Sequence, residues 1–283
     1  MTLPRPRLSP GTAAGPVRLV TVSDVRAPRI EIDGQAATVE QIWQLDLSSG
    51  GHFTAMQVRA GQTLGLDFHL ARLDAATREL FGHGLDGDRV RGCIRHALGR
   101  DIADASVRVN VFRPAAGGGV SVAVSLRPPG PPPPRQQSLQ TVRYWRPQAH
   151  LKRSGGFGQS YYGSLARENG FDEALFTGPG GVICEGSITN IGFIDGQAIV
   201  WPDAPALNGI MMQVLQRELD RARLPWRRRP VRVADLPSFG GAFVTNSHGM
   251  AAVARIDDLS LPSGAALMRT AERLLAAARY DPI

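Results

Sequence analysis

The sequence predicts an α/β (α+β) protein in two lobes, and three observations carry that prediction. Short alternating apolar segments of strand type are interleaved, in both halves of the chain, with segments whose apolar residues recur at helical spacing. A proline run, Arg127 to Arg135, separates the halves. It can be neither helix nor central strand, because proline lacks a backbone N–H and fixes φ. A length of 283 residues with 43% hydrophobic content allows one large core or two smaller ones and excludes wholesale disorder. The expected organisation is a small N-terminal α/β domain over residues 1–126, a Pro-rich linker over 127–137 and a larger C-terminal domain over 138–283.

Taken in order, residues 1–16 are Pro-rich and expected to be flexible, and Val17–Val22 alternates as a strand. Phe53–Arg59 reads as a strand after Gly50 and Gly51. Asp67 is the expected N-cap of a helix running to Phe81, with Leu70, Leu73, Ala76 and Leu80 on one face. Gly82 and Gly84 stop it, and a second helix runs from Asp88 to Gly99. Ser106–Phe112 and Val120–Ser125 alternate as strands around a Gly-rich turn. Past the linker, a strand is expected over Ser138–Trp145 and a helix over Ser160–Asn169, closed by Gly170. Short strands follow at Glu173–Thr177, Val182–Cys184, Ile191–Ile194 and Ala198–Trp201, divided by turns at Pro179–Gly181 and Asp195–Gly196. Then come a helix over Gly209–Arg223, a strand near Val231, strands at Ala242–Asn246 and Ala251–Ile256, and a helix over Ser263–Arg279. The chain has no internal repeat.

Composition narrows the function. The formal net charge is +7, but the arginines are scattered, and the densest run is Trp226–Pro230. No zinc-ligand set, aromatic-rich RNA-binding pattern or basic helix accompanies it, so a solvated Arg-rich surface is the reading and no nucleic-acid partner is expected. No apolar run approaches the ~20 residues of a membrane span, and the N-terminus lacks the apolar stretch of a secretory signal. Two cysteines, Cys93 and Cys184, cannot form a disulfide framework, which points to a reducing cytoplasm.

Of the 32 Lys and Arg residues, one is a lysine, Lys152. Arginine can replace a solvated lysine. It cannot replace one that must act as an amine, because the guanidinium stays protonated and is a poor nucleophile. A lone lysine is therefore either a chance survivor on the surface or a chemical residue.

Five segments decide between these. They are Phe68-His-Leu-Ala-Arg-Leu73, Leu151-Lys-Arg-Ser-Gly155, Cys184-Glu-Gly-Ser-Ile-Thr-Asn190, Leu207-Asn-Gly-Ile-Met211 and Thr245-Asn-Ser-His-Gly249. In this order, over roughly residues 45–258, the chain resembles the fold-type IV pyridoxal-phosphate enzymes, which include D-amino-acid and branched-chain aminotransferases and aminodeoxychorismate lyase. Lys152 falls on the family's Schiff-base position, which a randomly placed lysine in 283 residues would rarely do. The resemblance implies a larger C-terminal domain of pseudo-barrel form. It also implies pyridoxal 5'-phosphate as cofactor and a homodimer in which the small lobe of one subunit helps shape the neighbour's site.

The resemblance assigns roles that chemistry makes intelligible. Lys152 supplies the amine for the Schiff base, and burial would keep that amine neutral and able to move the substrate's α-proton. Glu185 faces the pyridine nitrogen, whose protonation lets the ring store charge. Arg72 pairs with the phosphate through its guanidinium fork. The amides of Ile210 and Met211 face the same dianion from a helix N-terminus. Ser247 adds a hydroxyl, and Leu207 packs on a ring face.

The chain also departs from the family pattern. Where the helix-opening motif usually carries Thr and Arg, this chain has Met211 and Met212, so one hydroxyl to the phosphate is lost. The expected cost is about 1–2 kcal/mol of cofactor affinity. Phe157 replaces a Tyr of the branched-chain members, although D-amino-acid members lack it too. Thr54 replaces an acidic residue in a strand that lines the substrate side in relatives. His150, His52 and His248 also lie near the motifs; His150 is read first as a structural histidine. Tyr161 and Tyr162 open the next helix, and one of them is a candidate to approach the site.

The leading function is a transaminase that moves an amino group between an amino acid, or related primary amine, and a 2-oxo acid. The runner-up is an aminodeoxychorismate-lyase-like enzyme using the same cofactor. A third reading, from another class, is a non-catalytic basic binding module.

Overall fold

The computed structural model describes residues 29–42, 50–114 and 118–283. The expected strand Val17–Val22 and the Pro-rich residues 1–16 lie outside them.

The first half builds β1 (Arg29–Ile32), β2 (Gln35–Ala36), β3 (His52–Val58), β4 (Gln62–Leu64), β5 (Ala105–Phe112) and β6 (Ser121–Arg127). Five of them form an antiparallel sheet in the order β2-β1-β6-β5-β3. The strict alternation of β5 writes its two faces. Val107, Val109 and Val111 are buried with Met56, Val58, Leu73 and Ile94, whereas Ser106, Arg108 and Asn110 face the other way. Cross-strand register puts Phe53 opposite Asn110, Ala55 opposite Arg108 and Gln57 opposite Ser106. This mixed face is the one turned toward the second half of the chain.

Helices α1 (Leu66–Phe81) and α2 (Gly87–Leu98) cover the apolar face. The start of α1 corrects the sequence reading. Its N-cap is Gly65 at φ 63°, not Asp67. A Cβ at residue 65 would come within 2.8 Å of Val214, and the left-handed φ itself favours glycine. The Leu66 amide is satisfied from far along the chain, by Asp281 Oδ2 at 3.1 Å. Asp67 sits one residue into the helix, where it pairs with Arg217 at 3.1 Å. α2 is capped locally, Asp86 accepting from the Asp88 amide at 2.9 Å.

After Pro129–Pro134, which carry no regular structure, come β7 (Gln136–Arg143), α3 (Phe157–Glu168), β8 (Glu173–Thr177), β9 (Ile183–Gly186), β10 (Asn190–Asp195) and β11 (Ala198–Pro202). They are followed by α4 (Ile210–Arg221), β12 (Trp226–Arg229), β13 (Gly241–Asn246), β14 (Gly249–Ile256), β15 (Leu259–Ser260), α5 (Ala265–Ala277) and β16 (Tyr280–Pro282). The mixed sheet runs β12-β11-β10-β13-β14-β7-β8-β9, with β15 on β14. It curls until β9 packs against β10 and β11, a half-barrel. Leu139, Ile183, Ile191, Phe193 and Val244 fill one side of it; α4 and α5 pack Met212, Leu215, Leu219 and Met268 against Trp201 and Phe243 on the other.

Two strands differ from expectation. The strand placed near Val231 lies earlier, at β12, because Pro230 ends it; Val231 is instead a fully buried core residue. The arginine run is that strand, and its members are engaged within the chain: Arg227 with Asp195, Arg228 with Asn208, and Arg229 over Phe239. No pattern in the sequence announces β16, which pairs with β4 in the first half. Arg91 and Arg95 hold the carbonyls of Pro282 and Ile283.

Candidate active site

Lys152 lies in the loop between β7 and α3, and this loop is gripped from both sides. The Phe53 amide donates to the Lys152 carbonyl at 2.8 Å, and the Ser154 amide to the Gly51 carbonyl at 3.3 Å. Arg146 donates to the Leu151 carbonyl at 3.0 Å and to the Ala149 carbonyl. With its backbone fixed, the side chain points into a cavity of about 680 Å³, its Nζ 4.9 Å from the centre of the Phe53 ring. Burial is the main force lowering the Lys152 pKa to about 8; the cations Arg72, Arg146 and Arg108 add to it, and Glu185 partly opposes it. The neutral form is the one that grows as pH rises through the pKa. Near pH 8 about half the amine is free, against roughly 1 in 300 for an unperturbed lysine.

Glu185, at the end of β9, is 4% exposed. Its Oε1 accepts from Arg146 Nε at 2.7 Å, and its Oε2 from the Leu207 amide at 3.0 Å. One carboxylate thus ties the lysine loop, through Arg146, to the Leu207 loop. Asn190 fastens the same loop from β10, donating to the Leu207 carbonyl at 2.7 Å. The sequence reading missed Arg146. In a chain with so many arginines, nothing distinguished the one that would become the buried partner of Glu185.

A second group collects in the same cavity. Arg72, on α1, is half-buried, and desolvation lowers its pKa to about 10. It donates to Thr54 Oγ1, which lies 2.6 Å from His69 Nδ1. His69 is neutral, its pKa held well below the usual histidine range by burial and by Arg72; the same causes lower His52 to about 4. No acid pairs with Arg72 among the described residues, and its Nε is buried without a hydrogen-bond partner. α4 opens onto the same space. Gly209 is extended, at φ −67° and ψ 144°, with neither a side-chain cap nor an acidic residue in the first turn, so the leading amides remain free for a ligand. A Cβ on Gly209 would collide with Asn190 Oδ1.

Arg72, Lys152, Leu207, Ile210, Met211 and Ser247 therefore share the walls of one cavity. Glu185 is not on those walls. It stands behind them, bonded to the Leu207 amide. A half-buried guanidinium with no acid beside it among the described residues, free helix amides and a hydroxyl form a cradle for a dianion, and a lysine of lowered pKa stands in the same cavity. The residues present fit pyridoxal phosphate.

Other candidates fall elsewhere. Thr54 is fully buried behind Arg72, while its neighbours Phe53 and Ala55 face the cavity, so position 54 orients the guanidinium and does not line the substrate side. His150 pairs with Glu79 on the surface at 2.9 Å, a structural link between the halves. His52 bonds Thr77 at 3.0 Å; His248, by contrast, does line the lysine cavity, where it is exposed and reaches the Pro131 carbonyl at 3.3 Å. Tyr161 and Tyr162 miss the lysine cavity. They line a second one of about 950 Å³, with Tyr144, Phe157, Arg108, Arg127, Arg146 and Arg153. That cavity runs along the other side of the lysine segment, where Leu151, Arg153 and Ser154 form part of its wall.

The family model for class IV amino-transferases matches residues 51–256. No curated protein matches the chain. Among solved structures, the fold IV-transaminase CpuTA1 from Curtobacterium pusillum superposes with a TM-score of 0.77 at 18% identity, covering 89% of this chain and 100% of that one. A hypothetical aminotransferase from Mycobacterium tuberculosis in its PLP-bound form gives 0.77 at 21% identity, covering 89% and 98%. A putative 4-amino-4-deoxychorismate lyase from Legionella pneumophila gives 0.72 at 18% identity, covering 81% and 91%. The alternative of a non-catalytic basic module falls with the family match. The cradle around Arg72 and α4, the lowered pKa of the Lys152 amine and the family match agree: the chain belongs to the class IV aminotransferases, enzymes that use pyridoxal phosphate.

Proposed function

We propose that this enzyme moves an amino group between an amino acid, or a related primary amine, and a 2-oxo acid, with Lys152 as the reacting amine. The observation that carries the reading is that the chain's single lysine is half-buried, has a lowered pKa and shares a cavity with Arg72, which no acid pairs with among the described residues.

Arg72, the amides of Ile210 and Met211, and Ser247 would hold the phosphate, Leu207 would pack on the ring, and Glu185 would face the pyridine nitrogen. When bound, the cofactor supplies an aldehyde that takes up the amino group and a ring that stores the electron pair left on the donor's α-carbon. Lys152 then acts through one atom. Its neutral Nζ would remove the donor's α-proton and deliver it to the cofactor carbon that takes up the amino group, and would run the same transfer in reverse during amination of the acceptor. The low pKa suits it to both directions near neutral pH. Arg146 aims Glu185 through its hydrogen bond to Oε1, and the carbonyl contacts of Arg146 fix the lysine loop. Among the described residues, the walls of the second cavity carry four arginines, one of them (Arg146) paired with Glu185, and no Asp or Glu, so it favours ligands that carry carboxylates.

We read the lobes as the domains 1–126 and 138–283 joined by 127–137, and the enzyme as a cytoplasmic homodimer. Exposed Trp145, Phe157 and Tyr161, which lie on or beside the second cavity, support a partner subunit there, and the two free cysteines support a reducing compartment. Among the described residues, no helix is long and apolar enough to cross a membrane.

A single-turnover experiment tests the reading. Mixed with a candidate amino donor and no acceptor, the enzyme should convert from the yellow pyridoxal form to the pyridoxamine form, and a 2-oxo acid should restore it. Pyruvate released from aminodeoxychorismate without any acceptor would replace the transferase reading with a lyase.

A further inference from the structure

We propose that Thr245 is a further cofactor-binding residue, its hydroxyl donating to the cofactor phosphate in place of the hydroxyl lost at Met211. The inference rests on the function proposed above and concerns only how this chain completes its anion cradle.

Three observations place the hydroxyl. Thr245 is 1% exposed, and its Oγ1 is buried with no hydrogen-bond partner among the described residues, although Thr245 lines the lysine cavity. A hydroxyl taken out of water without a partner is costly, so it calls for a ligand. Register then aims it. On the antiparallel pair β10–β13, Thr245 stands opposite Asn190, and directly opposed residues share a face. Asn190 reaches the Leu207 carbonyl at 2.7 Å and occupies the space where a Gly209 Cβ would stand, so this face looks at the opening of α4. Phe243, two residues back and therefore on the same face, packs against Met212 of the first turn of α4. Val244, between them, turns into the opposite core with Ile191.

The third observation is what this cradle contains. Arg72 Nε is orphaned in the same cavity, and Met211 presents a thioether where the family resemblance leads one to expect a hydroxyl. A dianion lying between the α4 amides and Arg72 would satisfy Arg72 Nε and Thr245 Oγ1 together. Hydrogen bonds to charged groups are stronger than neutral ones, so the hydroxyl should register clearly in affinity.

The test measures equilibrium binding of pyridoxal phosphate and of pyridoxal, which lacks the phosphate, to apoenzyme by absorbance. The variants are Thr245→Val, Thr245→Ala and Thr245→Ser. The Val and Ala variants should bind pyridoxal phosphate about tenfold more weakly than wild type, should bind pyridoxal unchanged, and should regain affinity when Met211→Thr is added. Thr245→Ser should match wild type. Equal weakening of both ligands, or a Ser variant as weak as the Ala variant, would assign Thr245 to packing and overturn the inference. So would wild-type affinity for pyridoxal phosphate in the Val and Ala variants. Wild-type apoenzyme that takes up neither ligand would overturn the proposed function itself, a result distinct from any of these.

Discussion

Lys152→Arg should lose turnover by at least about 10⁴-fold while keeping a folded protein that still binds pyridoxal phosphate through its phosphate. The substitution retains a cation of similar reach, so the neighbours Arg72, Arg146 and Glu185 see little change in charge. It removes the neutral amine. A guanidinium stays protonated at working pH, whereas Lys152, lowered to about 8, has a substantial fraction of free base. Rapid-mixing spectra of the donor half-reaction separate the two effects. Activity within tenfold of wild type would remove Lys152 from the chemistry.

Glu185→Gln should slow the donor half-reaction by about 10²-fold and weaken cofactor binding by less. A neutral amide cannot hold a proton on the ring nitrogen, so the ring stores charge poorly, while the phosphate cradle is untouched. There is a cost in stability as well. Arg146 and Glu185 are both nearly fully buried, and removing one charge of such a pair leaves the other uncompensated, a loss of about 3–5 kcal/mol. The readout is therefore paired: single-turnover rate against cofactor dissociation constant, with the melting temperature as a control. A variant that loses affinity and keeps its rate would make Glu185 a structural contact only.

What was legible in the sequence was what local chemistry writes. The alternation of Ser106–Phe112 forecast both the strand and its two faces, because a period of two leaves no other way to bury Val107, Val109 and Val111 together. Lys152 stood out because every other cation in the chain is arginine. The phosphate-suited residues could be named from five short motifs, and the structure gathers Arg72, Ile210, Met211 and Ser247 around one cavity with Lys152.

What was not legible depends on partners distant in sequence. Asp67 looked like an N-cap because Asp commonly is one. The true cap is a glycine, and the acceptor for its helix comes from Asp281, 215 residues on. Arg146 was hidden by composition, and Thr54 was misplaced because the direction of a side chain on β3 depends on where α1 lies above it. Val231 looked like strand because it is apolar; Pro230 sends it into the core as a loop residue.

The most direct test of the account is to trap the reacting amine. Apoenzyme mixed briefly with pyridoxal phosphate at a series of pH values, reduced with borohydride and digested, should carry the cofactor's mass on the peptide containing Lys152, in a yield that rises through pH about 8. Mass on another amine such as the N-terminus, mass on no peptide, or a yield that rises only near the pKa of an ordinary exposed lysine would contradict it.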